Sequence, residues 1–136
     1  MERQKKVLDA SAITKWFLNE SGSDHALSLR EEHLRGLSTI IIPELTFLEV
    51  LNTLKYKRID LSALNEVNKD LSLAQLHVER LNHHLLERAL TLASQHDLTI
   101  YDACYLALAR LHGCPLYTAD HKLGKCPGTI LLGEKP

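Results

Sequence analysis

Asp9, Glu49, Asp102 and Asp120 are four carboxylates set in apolar sequence, in the segments VLDAS, FLEVLN, IYDACYLALA and LYTAD. Acids that interrupt core-forming stretches are expected to be buried, and several carboxylates buried together demand a compensating cation. Oxygen-only ligands, with no His or Cys at matching positions, favour a hard divalent ion, Mg²⁺ or Mn²⁺, over zinc or copper. Such an ion lowers the pKa of a bound water, neutralises a phosphodiester oxygen and sets attack in line. A second ion about 4 Å away would stabilise the leaving oxygen. The chemistry to which the four acids point is therefore hydrolysis of a phosphodiester assisted by one or two ions.

Each acid taken alone has a plainer role. Asp9 can cap a helix starting at Ala10 or Ser11. Asp102 near a helix start complements the macrodipole, and Asp120 before HKL can cap a short turn. Glu49 lies inside a helix beside a core stripe and has no capping task. The conjunction of the four carries more than any member.

The elements that must position them follow from periodicity and punctuation. Lys6–Leu8 reads as a strand ending at Asp9, and Ala10–Leu18 has helical spacing, with Ile13, Trp16 and Phe17 on one face. The polar stretch Asn19–Asp24 leads into a second helix, stopped by Gly36. The β-branched run Thr39–Ile42 predicts a strand buried on both faces of a parallel sheet, with Pro43 in the first turn of the next helix. That helix, Glu44–Lys57, aligns Phe47, Val50, Leu51 and Leu54 and leaves Glu49, Asn52 and Thr53 on a neighbouring face.

Leu61–Leu73 and Asn82–Gln95 read as amphipathic helices, with a short strand at His77–Glu79. Tyr101–Leu111 is helical, and its alanines permit close packing on a sheet. Pro115–Tyr117 and Thr129–Leu132 are the last strands, with a helical turn over Ala119–Leu123 between them. Strands alternating with helices indicate one α/β domain over residues 1–136 with a central, mostly parallel five-stranded sheet flanked by helices in three layers. Ligands of such sheets gather at the strands' carboxyl ends near the topological switch point, where Asp9 and Asp120 fall.

A chain of 136 residues with 45 % hydrophobic residues has material for one core. Its 16 basic against 17 acidic residues leave a net charge of −1, so any binding of nucleic acid must rest on local patches or a bound metal. The three cysteines lack CxxC spacing and predict no disulfide framework. The polar start MERQKK and an apolar stretch broken by Asp9 and Lys15 give neither a signal peptide nor a membrane span, so a cytoplasmic protein is expected.

VLDASAITKWFLNE, PELTFLEVLNTL, TIYDACYLALA and LYTADHKL, in this order over nearly the whole chain, resemble the PIN domain of VapC-type toxins, the metal-dependent ribonucleases of bacterial and archaeal toxin–antitoxin pairs. The resemblance implies that Asp9, Glu49, Asp102 and Asp120 form an acidic quartet binding Mg²⁺ or Mn²⁺, that a metal-activated water attacks, and that cleavage leaves a 5′-phosphate. Ser11, Asn52 and Thr118 match polar positions of the family motifs and are carried over as groups that orient carboxylates or substrate. His121 and Lys122 stand where some members place a further acid, which bears on the second ion. The resemblance also implies a homodimer neutralised by a small VapB-type antitoxin. Trp16, Phe17, Leu27 and Leu29 on the first two helices are either its docking surface or ordinary core.

Lys15, one helical turn after Ser11, is within reach of a phosphate bound near Asp9, although a solvated lysine is the plainer reading. Lys55, Lys57 and Arg58 are explained by a helix C-terminus. His112, Cys114, His121 and Cys126 match no common zinc spacing. A receiver domain would need adjacent acids after the first strand, and VLDAS offers one. The remaining alternative is a catalytically silent binding or regulatory domain of the same fold, which loss of an acid would signal; all four are present.

Overall fold

A computed structural model describes residues 3–133. Its five strands are β1 (Gln4–Leu8), β2 (Ser38–Pro43), β3 (His77–Glu79), β4 (Leu116–Thr118) and β5 (Thr129–Leu131), all parallel, in the order β3-β2-β1-β4-β5. The helices are α1 (Ala10–Thr14), α2 (Ser23–Leu34), α3 (Leu45–Tyr56), α4 (Leu61–Leu73), α5 (His83–His96) and α6 (Ile100–His112). Among the described residues no helix is long and apolar enough to cross a membrane.

Successive strand residues point to opposite faces. Ile40, Ile41 and Ile42 are all buried, so helices cover both faces of β2 as the isoleucine run predicts. The α6 helix is buried on its whole circumference from Ala103 to Ala109, packing on β1, β2 and β4 and against α5. Its small residues allow this close approach, and Gly113 at φ 62° ends it in a left-handed cap. Thr99 caps its start by accepting from the Asp102 N–H.

The sequence reading differs from the structure at three junctions. The first helix ends at Thr14, because Lys15, Trp16 and Phe17 donate to carbonyls three residues back and tighten the chain out of the α ladder. The Trp16 indole N–H then donates to the Ala26 carbonyl at 2.9 Å and pins that turn to α2. Pro43 is the last residue of β2, paired with Glu79, and not a helical residue. The Glu44 N–H takes the Glu79 carbonyl at 3.0 Å, which extends the β2–β3 pairing past the proline. The turn after β4 is displaced to a 3₁₀ turn at Leu123–Lys125, because the Asp120 side chain takes the N–H groups of Lys122 and Leu123 first. Trp16 and Leu29 are core and Phe17 and Leu27 are half-buried and packed against it, so of the two readings open for these residues the core reading holds for Trp16 and Leu29.

Candidate active site

The direction of chain crossover reverses at β1, which has β2 on one side and β4 on the other. Asp9 follows β1, while Thr118 ends β4 and leads to Asp120, so both acids stand at the switch point. Glu49 on α3 and Asp102 in the first turn of α6 face the same place. All four carboxylates line one cleft of about 270 Å³, together with Ser11, Lys15, Glu20, Thr53, Lys57 and Tyr105.

Asp9 is the floor of this cleft, 3 % exposed. One carboxylate oxygen accepts from Ser11 Oγ at 2.6 Å and from the Ala12 N–H at 2.9 Å, and the other accepts from Thr118 Oγ1. The cap of α1 and the site are thus the same group. Ser11 Oγ accepts from the Ala119 N–H and Thr118 Oγ1 from the Asp120 N–H. With both hydroxyl protons committed to Asp9, the two hydroxyls tie the loop after β4 to the carboxylate. Burial nevertheless raises the Asp9 pKa from 3.8 to about 6 against these hydrogen bonds, and the charge of Asp102 adds to the rise.

Glu49 accepts from Tyr105 Oη at 2.7 Å. Since Tyr105 spends its proton on Glu49, Thr46 Oγ1, 3.0 Å away, donates to the phenol oxygen. Burial, and then the Glu49 charge, push the phenol above its ordinary value, which keeps it a donor. Burial also raises Glu49 and Asp102, and each is further raised by a neighbouring acid, Asp102 for Glu49 and Asp120 for Asp102. A cleft whose acids raise one another's pKa values favours any cation that enters it.

Among the described residues no three His, Cys, Asp or Glu groups stand ready to grip one ion. Asp9 is buried, while Glu49 and Asp102 are half-buried and Asp120 is exposed, so these three carboxylates are open to an ion from the cleft. The oxygen-only donor set fits a hard divalent cation.

Of the other expected groups, Ser11 and Thr118 hold Asp9. Asn52 is exposed on α3 and does not line the cleft. Lys15 lines it, but its Nζ is 2.8 Å from Glu20 Oε1. Sequence reasoning missed Tyr105, Glu20 and Lys57. For Tyr105 a signal existed, because a tyrosine one turn after Asp102 in a fully apolar run must find a partner for its hydroxyl. Lys57 was assigned to the helix dipole alone, although it ends the helix that carries Glu49.

A parallel α/β sheet with four acids lining one cleft at its switch point is what the chain presents, and the family model described as PIN domain matches residues 6–128. The chain belongs to the PIN domain family. Within it, the chain is 32 % identical over 126 residues to Ribonuclease VapC3 of Pyrobaculum aerophilum, covering 89 % of this chain and 93 % of that one. The fold is shared with the crystal structure of PAE2754 from Pyrobaculum aerophilum (TM-score 0.73, 24 % identity, 95 % of this chain and 84 % of that one). It is shared too with Mycobacterium tuberculosis VapC20, described as a sarcin–ricin loop cleaving toxin (TM-score 0.72, 18 % identity, 96 % and 99 %). A toxin–antitoxin complex from Klebsiella pneumoniae is similar as well (TM-score 0.69, 20 % identity, 96 % and 99 %). The resemblance to VapC-type PIN domains read from the sequence is borne out.

Proposed function

We propose that this protein is a metal-dependent endoribonuclease, the toxin of a type II toxin–antitoxin pair, cleaving RNA phosphodiesters at the cleft formed by Asp9, Glu49, Asp102 and Asp120. The observation that carries the reading is the convergence of these acids, from four separate segments, around a buried Asp9 whose every oxygen is hydrogen-bonded. The relative named a ribonuclease, similar along most of both chains, supports RNA as the substrate. The likeness to a chain solved in a toxin–antitoxin complex supports an antitoxin, here of VapB type, as partner, and a homodimer as the working form is part of the proposal that the family resemblance alone suggests.

Mg²⁺ or Mn²⁺, as one or two ions held by the quartet, would supply Lewis-acid activation of water and charge neutralisation at the phosphate. The chain's own groups do the positioning. Ser11 and Thr118 hold both oxygens of Asp9, and Tyr105 holds Glu49 with one oxygen left for a ligand. Asp120 is held by the N–H groups of Lys122 and Leu123 through Oδ1, which leaves Oδ2 for the cleft. Asn52, exposed one turn beyond Glu49 and outside the cleft, remains a candidate contact for RNA in this reading.

Purified protein incubated with labelled total RNA is expected to cleave it with Mg²⁺ or Mn²⁺ and to stop in EDTA. Asp9→Asn and Asp102→Asn are expected to abolish cleavage with circular dichroism unchanged. Retained cleavage by either variant, with contaminating ribonuclease excluded, would refute the site. A folded wild type that binds the cation and cleaves no RNA would instead favour a silent binding domain.

A further inference from the structure

The acids of the cleft outnumber its bases, yet the substrate proposed for it is a polyanion. Two ammonium groups line the same cleft, Lys15 and Lys57, and a fifth acid, Glu20, lies between their fields. Lys15 Nζ donates to Glu20 Oε1 at 2.8 Å, with the lysine side chain 14 % exposed and the glutamate side chain 40 %. Glu20 is pulled below its ordinary pKa first by that hydrogen bond and then by the charges of Lys15 and Lys57.

The lysine stem is largely covered, its side chain 14 % exposed, and it runs beside Gly22, where a Cβ would come into ordinary contact with Lys15 Cδ at 3.4 Å. Glu20 is placed by its own backbone, whose N–H donates to Ser23 Oγ and whose carbonyl takes the Ser23 N–H, while its side-chain tip is open to solvent. The pair therefore joins a cation on a mostly covered stem to a more exposed anion that rotates away at low cost.

We propose that Lys15 and Lys57 form a subsite for a backbone phosphate of RNA adjacent to the bond being cut, and that Glu20 occupies Lys15 as a displaceable stand-in for that phosphate. The inference rests on the nuclease reading for its substrate. A carboxylate and a phosphodiester offer the same acceptor chemistry to an ammonium group, so the phosphate replaces Glu20 without moving the backbone.

The test is binding of a labelled single-stranded oligoribonucleotide to the Asp102→Asn protein, followed by fluorescence anisotropy over a range of salt. Lys15→Met, which keeps the packed stem, and Lys57→Ala are each expected to lower the salt slope, and the two together to lower it by about 0.7, the loss of one neutralised phosphate on a single strand. Glu20→Gln is expected to tighten binding about two- to fivefold, by removing an exposed competitor. Unchanged slopes in both lysine variants, or weaker binding by Glu20→Gln, would overturn the proposal and leave Lys15–Glu20 as an ion pair that only ties the loop to α1. Absence of binding at low salt would overturn it too. Cleavage by the wild type, measured alongside, separates the two readings. Cleavage with unchanged slopes removes the subsite and keeps the nuclease, and lost slopes without cleavage do the reverse.

Discussion

Asp9 concentrates the conflict of this site in one side chain. Its pKa is raised to about 6, so the folded state holds its proton more tightly than the unfolded chain does. The contribution of Asp9 to stability is complete below about pH 4, falls between pH 4 and 6, and stays low above that. The rise from 3.8 to about 6 corresponds to a loss of about 3 kcal/mol by pH 7. Asp9→Asn, which keeps an acceptor for Ala12 and removes the charge, is expected to melt higher than wild type at pH 7 and to lose that advantage at pH 4. Thermal melts at the two pH values decide it, and equal melting shifts would mean that Asp9 is solvated in the fold. Tyr105→Phe leaves Glu49 without its donor and Thr46 without its acceptor. It is expected to cost about 1–2 kcal/mol in urea denaturation and to weaken Mn²⁺ binding about tenfold or more. Unaltered Mn²⁺ affinity would remove Tyr105 from the positioning machinery.

At the scale of elements, α6 joins the core to the site. Its first turn carries Asp102 and its next turns are buried all round. Because sheet and α5 enclose it, there is no side on which it can grow. Ala107, 1 % exposed, replaced by Leu is expected to cost about 1–3 kcal/mol from overpacking. On the same helix, exposed Leu111 replaced by Met is expected to cost nothing measurable. Thr99→Ala removes the cap on which the Asp102 N–H depends, with an expected loss of about 1 kcal/mol. Amide hydrogen exchange would place that loss in the first turn of α6. Exchange unaltered there would show that packing, not the cap, holds Asp102.

At the scale of the molecule, fold stability and the cleft are linked through charge. Four acids at one end of the sheet repel one another, and a divalent cation that binds the folded chain stabilises it by mass action. At a free concentration about 100 times its Kd, Mg²⁺ or Mn²⁺ is expected to add about 2.7 kcal/mol. The matching rise in melting temperature should vanish in Asp102→Asn. A rise that survives the substitution would put the cation elsewhere.

The sequence alone determined the order of strands and helices along the chain, the parallel sheet, three acids at or near element ends and a fourth, Glu49, inside a helix. These follow from signals a short window contains, such as the isoleucine run of β2, the alanines of α6, and an acid at the close of an apolar stretch. It misjudged ends where a neighbour intervenes, as when the β3 pairing kept Pro43 in its strand and the contact with Ala26 held the turn after α1. Only the tertiary structure decided which groups serve the acids. Thr118 reaches Asp9 across 109 residues, Tyr105 reaches Glu49 across 56, and Glu20 neutralises the lysine that the sequence offered to a phosphate. Hydrogen bonds and ion pairs depend on distance and direction in space. No local pattern encodes these when the partners lie on different elements brought together by the packing of the sheet.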